Sequence, residues 1–529
     1  MSGRALPPEF FPVRMNPKKL RLWLAALAVL AGANAASAET LFDAIRLAYD
    51  SNPALRAQRA QQQATDETYV QAKAGLGPQV NVTAQGSRAW TRVEQKATIF
   101  SPSDHADYHA TTGTADFSVV QPVYSFGAKR AQVEGARAGV LAGREDLRQT
   151  EAQLIEAVVQ AYEDVRRDRA SIRFLQDEVE ALTRDFEEIK AKGAAGQLTR
   201  TDVAESESRL LDARAQLHLA QGRLDASVAE YMDIVGQSPG DLAPESDLPG
   251  VPASVDQAFD AAERNNAQLL SAIQSERAAR QKVAEARAAY GPTVALRFDA
   301  QIQPTLPYLP QYDRDVAVSA VYSQPLFTSG LNASKVRQAL DQANQAQLTV
   351  EQTRRDAVQQ ISRAWGALAS TRDAIRIQAE QVDAEQAAVV GNRIEQRAGT
   401  RSTFELMSAE FELTNSQLSL LQSRHDEYLA RAQLLAAMGV LEAHYLTPGL
   451  QTYDPTAKLE RVEGRYAAPW EGAVETIDGL GAPGTAAPRL SATGAGGERP
   501  GGLRPDLPPD PAPQAQPESE PETKPESQP

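Results

Sequence analysis

The chain has 529 residues, a formal charge of −15, 6% aromatic residues and no cysteine. That acidic balance leaves no basic face to neutralise nucleic-acid phosphate, so nucleic acid is excluded as a partner. The missing cysteine excludes disulfides, thiolate metal sites, thiol catalysis and a lipidated N-terminal Cys.

Residues 1–38 read as a secretory signal peptide. Lys18, Lys19 and Arg21 form its charged region, Leu22 to Ala33 its apolar region, and Ala36-Ser37-Ala38 its cleavage site. Met15, just before the charges, is an alternative start. The mature chain is expected to begin at Glu39, and an intact mass retaining earlier residues would contradict this. No later segment is apolar and long enough to be a transmembrane helix.

After an opening helical stretch, Gln79 to Gln85 alternates. Val80, Val82 and Ala84 face one way, and Gln79, Asn81, Thr83 and Gln85 the other. Thr114 to Val123 reads as a second strand. Gly127 to Lys192 then reads as one helix with Val158, Val165, Ile172, Val179 and Phe186 seven residues apart, which is a coiled-coil seam. At ~1.5 Å per residue it spans roughly 100 Å. The next helix carries large residues at Val203, Leu210, Leu217, Leu224 and Tyr231, and small ones at Ser206, Ala213, Ala220 and Ser227. Large against small lets neighbouring helices approach closely.

A Pro-rich linker follows, and the chain then repeats itself. Pro292 lies 214 residues after Pro78, and the same offset places Asn266 on Asn52 and Leu269 on Leu55. Gln324-Pro325 lies 203 residues after Gln121-Pro122, and that offset holds through Trp365 on Tyr162 and Gly399 on Gly196. The offset falls by 11 between residues 82 and 121, so a longer loop is expected in the first copy. Val294, Leu296, Phe298, Ala300 and Ile302 repeat the apolar strand face, and Asp315 to Gln324 supplies a fourth strand. Ile361, Leu368, Ile375, Val382 and Val389 repeat the seam. Leu406, Leu413, Leu420 and Leu434 repeat the large series, with Glu427 interrupting it where the face is expected to turn to water.

The expected organisation is therefore a signal at 1–38, repeats at 39–240 and 254–440 joined by a linker at 241–253, a segment at 441–478, and a disordered Pro-rich tail at 479–529. Cutting after about residue 470 is expected to be harmless. Strands of about ten residues suit either a tilted crossing of a bilayer or a soluble half-buried sheet. Four of them on ~100 Å helices, behind a signal, favour a barrel. Four strands cannot close one, and open edges in lipid cost several kcal/mol per unpaired group, so two or three copies must complete it.

These features together resemble the outer-membrane efflux protein family of the TolC type, over about residues 40 to 450. The resemblance rests on Asn52-Pro53 and Asn266, the Gly-Pro strand starts, the Gln-Pro strand ends, and the turns Gly196 to Asp202 and Gly399 to Glu405, all in register within a duplicated chain. It implies a membrane α+β fold in a homotrimer, with a twelve-stranded barrel in the outer-membrane lipid continued by an α-helical coiled-coil barrel in the periplasm. It also implies a passive duct rather than an enzyme, with no cofactor. Its partners would be a periplasmic membrane-fusion adaptor and an inner-membrane ABC or proton-driven pump, and its cargo proteins in type I secretion, small molecules such as drugs, or both. The rival is a soluble periplasmic coiled-coil scaffold.

Asp202 and Glu405 fit capping boxes with Thr199 and Ser402. By resemblance they also belong to a periplasmic gate, with Asp202 and Arg401 in a charged latch and Glu405 in an acidic ring. Gln396 stands where the family pattern has a tyrosine, and Ser408 where it has a second acid. Gly196, Gly399 and Thr400 bend the chain at the turns and, by resemblance, lie where an adaptor docks. Asp104, His105, Asp107 and His109 fall in the expected longer loop as a weak metal-ligand set. His218, His425 and His444 lie far apart.

Overall fold

The computed structural model describes residues 38–95, 99, 104–245, 247–304, 312–446, 449–462 and 468–486. The signal segment before Ala38 and the tail after Ala486 lie outside the described residues.

The first copy contains α1 (Leu41–Ser51), α2 (Pro53–Ala74), β1 (Gln79–Gln95), β2 (Asp104–Tyr124), α3 (Ala128–Ala194) and α4 (Arg200–Val235). The second contains α5 (Val255–Asn265), α6 (Ala267–Ala288), β3 (Thr293–Pro304), β4 (Tyr312–Ser323), α7 (Leu331–Arg397) and α8 (Thr403–Ala437). Short helices α9 (Ala443–Leu446), α10 (Ala457–Val462) and α11 (Glu471–Asp478) follow. The two sequence offsets reappear in the helix bounds. Helices α5 and α6 begin and end 214 residues after α1 and α2, and α7 lies 203 after α3, both with 67 residues. The repeated asparagines explain the helix starts. Asn52 accepts from the backbone N–H of Ala54 and Leu55 ahead of Pro53, and Asn266 accepts from Leu269. The Asn266 amide also donates to the Ala437 carbonyl at 2.8 Å, tying the start of α6 to the end of α8.

The strands form one antiparallel sheet in the order β1-β2-β3-β4. The expected longer loop is not there. The extra residues extend the ladder, so β1 and β2 have 17 and 21 residues against 12 and 12 in the second hairpin. Asp104, His105, Asp107 and His109 lie on β2, opposite Gln95, Glu94, Arg92 and Trp90. Asp107 pairs with Arg92 at 2.8 Å and His109 stacks on Trp90, so cross-strand pairing occupies these two side chains. Among the described residues no group of three or more acids or histidines could hold a metal.

Register fixes which side chains share a face. Val80, Val82 and Ala84 line up with Val119, Phe117 and Ala115, then Phe298, Ala300 and Ile302, then Val318 and Val316. This face is apolar yet open: Val82 is 74% and Val318 77% exposed. Asn81, Thr83, Ser118, Asp116, Arg297, Asp299, Ser319 and Asp315 fill the other face. At the foot of β2 the register shifts at Pro122, which has no N–H for a ladder.

The helices divide between two compact units that cut across the repeats. One holds the chain to Ala48 with Val158 to Asp247, and the other Tyr49 to Ala157 with Leu248 onward. Helix α3 belongs to both, because a helix of roughly 100 Å outruns any single core. In the first unit Val158, Val165 and Ile172 are buried as the heptads require. Towards the turn a second series three residues on takes over, at Leu175, Leu182 and Ile189. The small series of α4 is buried throughout, at Ser206, Ala213, Ala220 and Ser227. Glu39 anchors this unit. Its carboxylate accepts from Tyr231 Oη at 2.8 Å, Gln237 Nε2 at 3.0 Å and Gly240 N at 3.2 Å, and its carbonyl accepts from Tyr162 Oη. Burial pushes the Tyr162 phenol up to about 12, and burial with the Glu39 carboxylate holds Tyr231 higher still.

In the second unit the core joins Phe259 and Leu269 to Ile361 and Leu368 of α7 and to Ala430 and Leu434 of α8. Glu427 does not mark a turn towards water. It is buried and receives Arg372 Nε of α7 at 3.0 Å and Arg431 Nε at 2.6 Å, so the interrupted large series carries an interhelical ion pair instead. Ser416 is buried, with its hydroxyl on the Glu385 carboxylate of α7. Ser416→Leu should therefore cost about 1–3 kcal/mol by overfilling this contact. An unchanged melting temperature would contradict that packing.

The C-terminal segment also departs from expectation. Helix α11 straps the junction between β2 and α3, and the placed chain runs to Ala486, past the expected start of the tail. The Asp478 carboxylate accepts from the hydroxyl of Ser125 at 2.8 Å and from the N–H of Arg130 at 3.2 Å and Gly127 at 3.4 Å, and it also receives the Ser125 N–H. Trp470 donates to Gln121, Tyr124 donates to the Leu480 carbonyl, and Arg287 donates to Gly484 and Ala486. A cut after residue 470 removes the Asp478 contacts and is therefore expected to be costly. At the equivalent start of α7 the Asn332 N–H donates to the Thr328 hydroxyl at 3.5 Å.

Candidate gate and docking site at the helix turns

The charged candidates lie on two equivalent helix turns, one in each unit. In the first, Gly196 takes φ +75° and the N–H of Gln197 returns to the Lys192 carbonyl at 2.9 Å, which ends α3. Glycine suits this left-handed position. Thr199 then caps α4. Its hydroxyl accepts from the Asp202 N–H at 3.2 Å, and Asp202 accepts from the Thr199 N–H and hydroxyl, each at 2.8 Å. The second turn repeats this geometry. Gly399 has φ +76°, and Thr400 donates to the Glu395 carbonyl from both N–H and hydroxyl at 3.0 Å. Glu405 accepts from the Ser402 N–H at 2.9 Å and hydroxyl at 3.0 Å.

Both expected capping boxes are therefore present. They have an electrostatic consequence. The backbone N–H of Thr199, then its hydroxyl, holds Asp202 below the usual carboxylate range, and Ser402 does the same for Glu405. Both acids are exposed and stay ionised at neutral pH. Arg401 finds its partner within its own turn, with Nε 2.8 Å from Glu395. Asp202 and Arg401 belong to different units, and each is engaged inside its own. Half-buried Gln396 donates to the Thr403 hydroxyl at 3.4 Å. Gly196, Gly399 and Thr400 are exposed.

Sequence reasoning missed Glu395 and the pair of Arg393 with Glu410 across the second turn. A signal was there. Arg393 with Glu410, Glu385 with Ser416 and Arg372 with Glu427 are nearly equidistant from the turn near residue 400, as an antiparallel helix hairpin requires.

The sequence matches the profile described as "Outer membrane efflux protein" over residues 44–237 and 258–440, the two repeats. It is 30% identical to the outer membrane efflux protein BepC of Brucella suis, covering 83% of this chain and 93% of that protein. It is 26% identical to the alkaline protease secretion protein AprF of Pseudomonas aeruginosa, covering 81% and 90%. The fold is similar to the outer membrane channel CmeC of Campylobacter jejuni, with a TM-score of 0.67, 14% identity, and coverage of 80% of this chain and 89% of that one. These matches set aside the soluble scaffold reading. A duplicated chain whose two copies both fall within the profile, with one four-stranded sheet on 67-residue helices, belongs to the outer membrane efflux protein family.

Proposed function

We propose that the chain is a passive outer-membrane channel-tunnel, that three copies build one duct, and that its export is driven by a periplasmic adaptor and an inner-membrane pump. The carrying observation is the sheet: its apolar face lies open along all four strands, and among the described residues β1 and β4 have no neighbour on their outer sides. In lipid the apolar face is satisfied, but the open edges are not, and further copies close them. The 12-residue strands of the second hairpin suit a tilted bilayer crossing. The first hairpin is long enough to extend beyond it.

Cargo follows the relatives' names only in outline. One is an efflux protein and another serves protease secretion, so small molecules and proteins both fit a duct whose selectivity lies in the pump. The exposed turns, with their fixed carboxylates and Arg401, are read as the gate at the tunnel's periplasmic end and as the adaptor's docking surface. Fractionation with native mass spectrometry tests the assembly. The expected result is a three-copy species in the outer-membrane fraction, released only by detergent. A one-copy or two-copy mass would overturn it.

A further inference from the structure

We propose that the outer end of the sheet's apolar face binds the phosphorylated saccharide headgroups of outer-leaflet lipid, an inference that rests on the membrane barrel above. The register shows where that face ends. On β1 and β2 it runs from Val80↔Val119 to Gly86↔Gly113, where a Cβ on either glycine would meet nothing. The next pair outward on this face is Arg88↔Thr111, and the one after is Trp90↔His109.

The second hairpin repeats this order. Moving Arg88↔Thr111 forward by 214 and 203 gives Ile302↔Arg314, and moving Trp90↔His109 gives Pro304↔Tyr312, both observed pairs. Each repeat therefore carries an arginine and then an aromatic residue at equivalent levels of one face. At ~3.3 Å per residue Val80 to Arg88 spans about 27 Å, or about 20 Å of height at a tilt of ~40°, near the ~25 Å of a barrel's apolar band. The arginines thus fall where headgroups begin, at the end of the sheet away from the helices.

The side chains fit a phosphorylated sugar. Arg88 and Arg314 are exposed, and among the described residues neither has an ion-pair partner, whereas Arg92 has Asp107 and Arg297 has Asp299. A guanidinium fork left open in this way matches two phosphate oxygens at once. Trp90 is 62% and Tyr312 64% exposed. Trp90 stacks on His109 with 15° between the rings and has the Arg92 guanidinium 5.4 Å from its centroid, so two neighbours fix its plane. The negative face of such a ring attracts the polarised C–H groups of a sugar. The opposite face of the first hairpin carries Ser87, Ala89, Thr91 and Thr112 at these levels, all uncharged, so the cations serve the lipid side and not the duct. Beyond Ala115↔Ile302, β2 pairs with β1 alone among the described residues, and a two-stranded ribbon is marginal in water. Headgroup contacts along its charged face would steady it.

Native mass spectrometry of the purified full chain, with lipid retention counted per chain, tests the site. The probes are lipid A (an acylated glucosamine disaccharide with two phosphates), the same lipid dephosphorylated, and phosphatidylglycerol. Wild type should hold lipid A about tenfold more tightly than either of the others. Arg88→Gln combined with Arg314→Gln should remove about tenfold of that affinity, and Arg88→Lys with Arg314→Lys only part of it. Trp90→Leu, which keeps apolar bulk without an aromatic face, should cost about threefold. Ser87→Ala, on the opposite face, should change nothing. Equal retention of the dephosphorylated lipid by wild type would overturn the arginine assignment, and equal retention of phosphatidylglycerol the saccharide assignment. Undiminished lipid A binding by the double Gln variant, with a three-copy mass retained, would overturn the site itself. A one-copy mass in wild type would instead overturn the barrel reading, and retention per chain would still report on the site.

Discussion

Truncation after Ala486 should leave the assembled protein as heat-resistant as the full chain, whereas truncation after Trp470 should lower its stability by about 2–4 kcal/mol per subunit. The second cut removes Asp478, a fully buried carboxylate that takes the place of an N-cap at the start of α3 from some 350 residues away. Phe126 and Gly127 both have positive φ, and together they turn the N–H groups of Ser125 and Gly127 towards that one carboxylate. Losing it leaves these donors unpaired and strips α11 from Val133 and Leu76, which pack with Val474. Asp478→Ala isolates the carboxylate and should cost about half as much. Equal dissociation temperatures for the two truncations would show that the strap contributes nothing.

The second large effect is expected in conductance. In recordings from lipid bilayers, Glu405→Gln should weaken divalent-cation block about tenfold and reduce cation preference, because a three-fold axis would bring three such carboxylates to one constriction. Gln can still accept the capping hydrogen bonds, so the substitution removes charge while keeping the cap. Thermal stability should then be unchanged. Arg401→Ser should act oppositely on the closed state, raising resting conductance severalfold. Its Nε is engaged by Glu395, and the guanidinium has four further N–H donors for the proposed gate. A pH titration adds a signed test. The cap holds Glu405 below its ordinary value, so a lone capped acid keeps its charge until the pH falls below that value. Mutual repulsion in a ring raises the value instead, so block should fade at a higher pH in wild type than capping alone allows. Unchanged conductance and ion preference in both variants would leave these residues as helix caps.

Much of this fold is legible in the sequence because it is written twice. The offsets 214 and 203 predict the bounds of α5, α6 and α7 and the sheet register to the residue, since a repeated hydrophobic pattern implies a repeated backbone. The capping boxes are equally legible, because Thr199-x-x-Asp202 and Ser402-x-x-Glu405 are local chemistry. The errors lie where partners are distant in sequence. The extra 11 residues of the first hairpin look like a loop by composition, yet cross-strand pairs such as Arg92 with Asp107 extend the ladder. Glu427 looks solvated until Arg372, 55 residues earlier, is placed beside it. The role of Asp478 is invisible in its own neighbourhood because every donor it accepts from lies in the first repeat. The proposed gate is harder to read for a different reason. Its chemistry would need neighbouring copies, and one chain's sequence carries only the residues each copy contributes.

The most direct test of the central claim is single-channel recording from the purified full chain reconstituted in a planar bilayer. Discrete, uniform, cation-preferring conductance steps from a three-copy species are the predicted result. A membrane that stays silent after insertion of that species is confirmed by protease protection would contradict it.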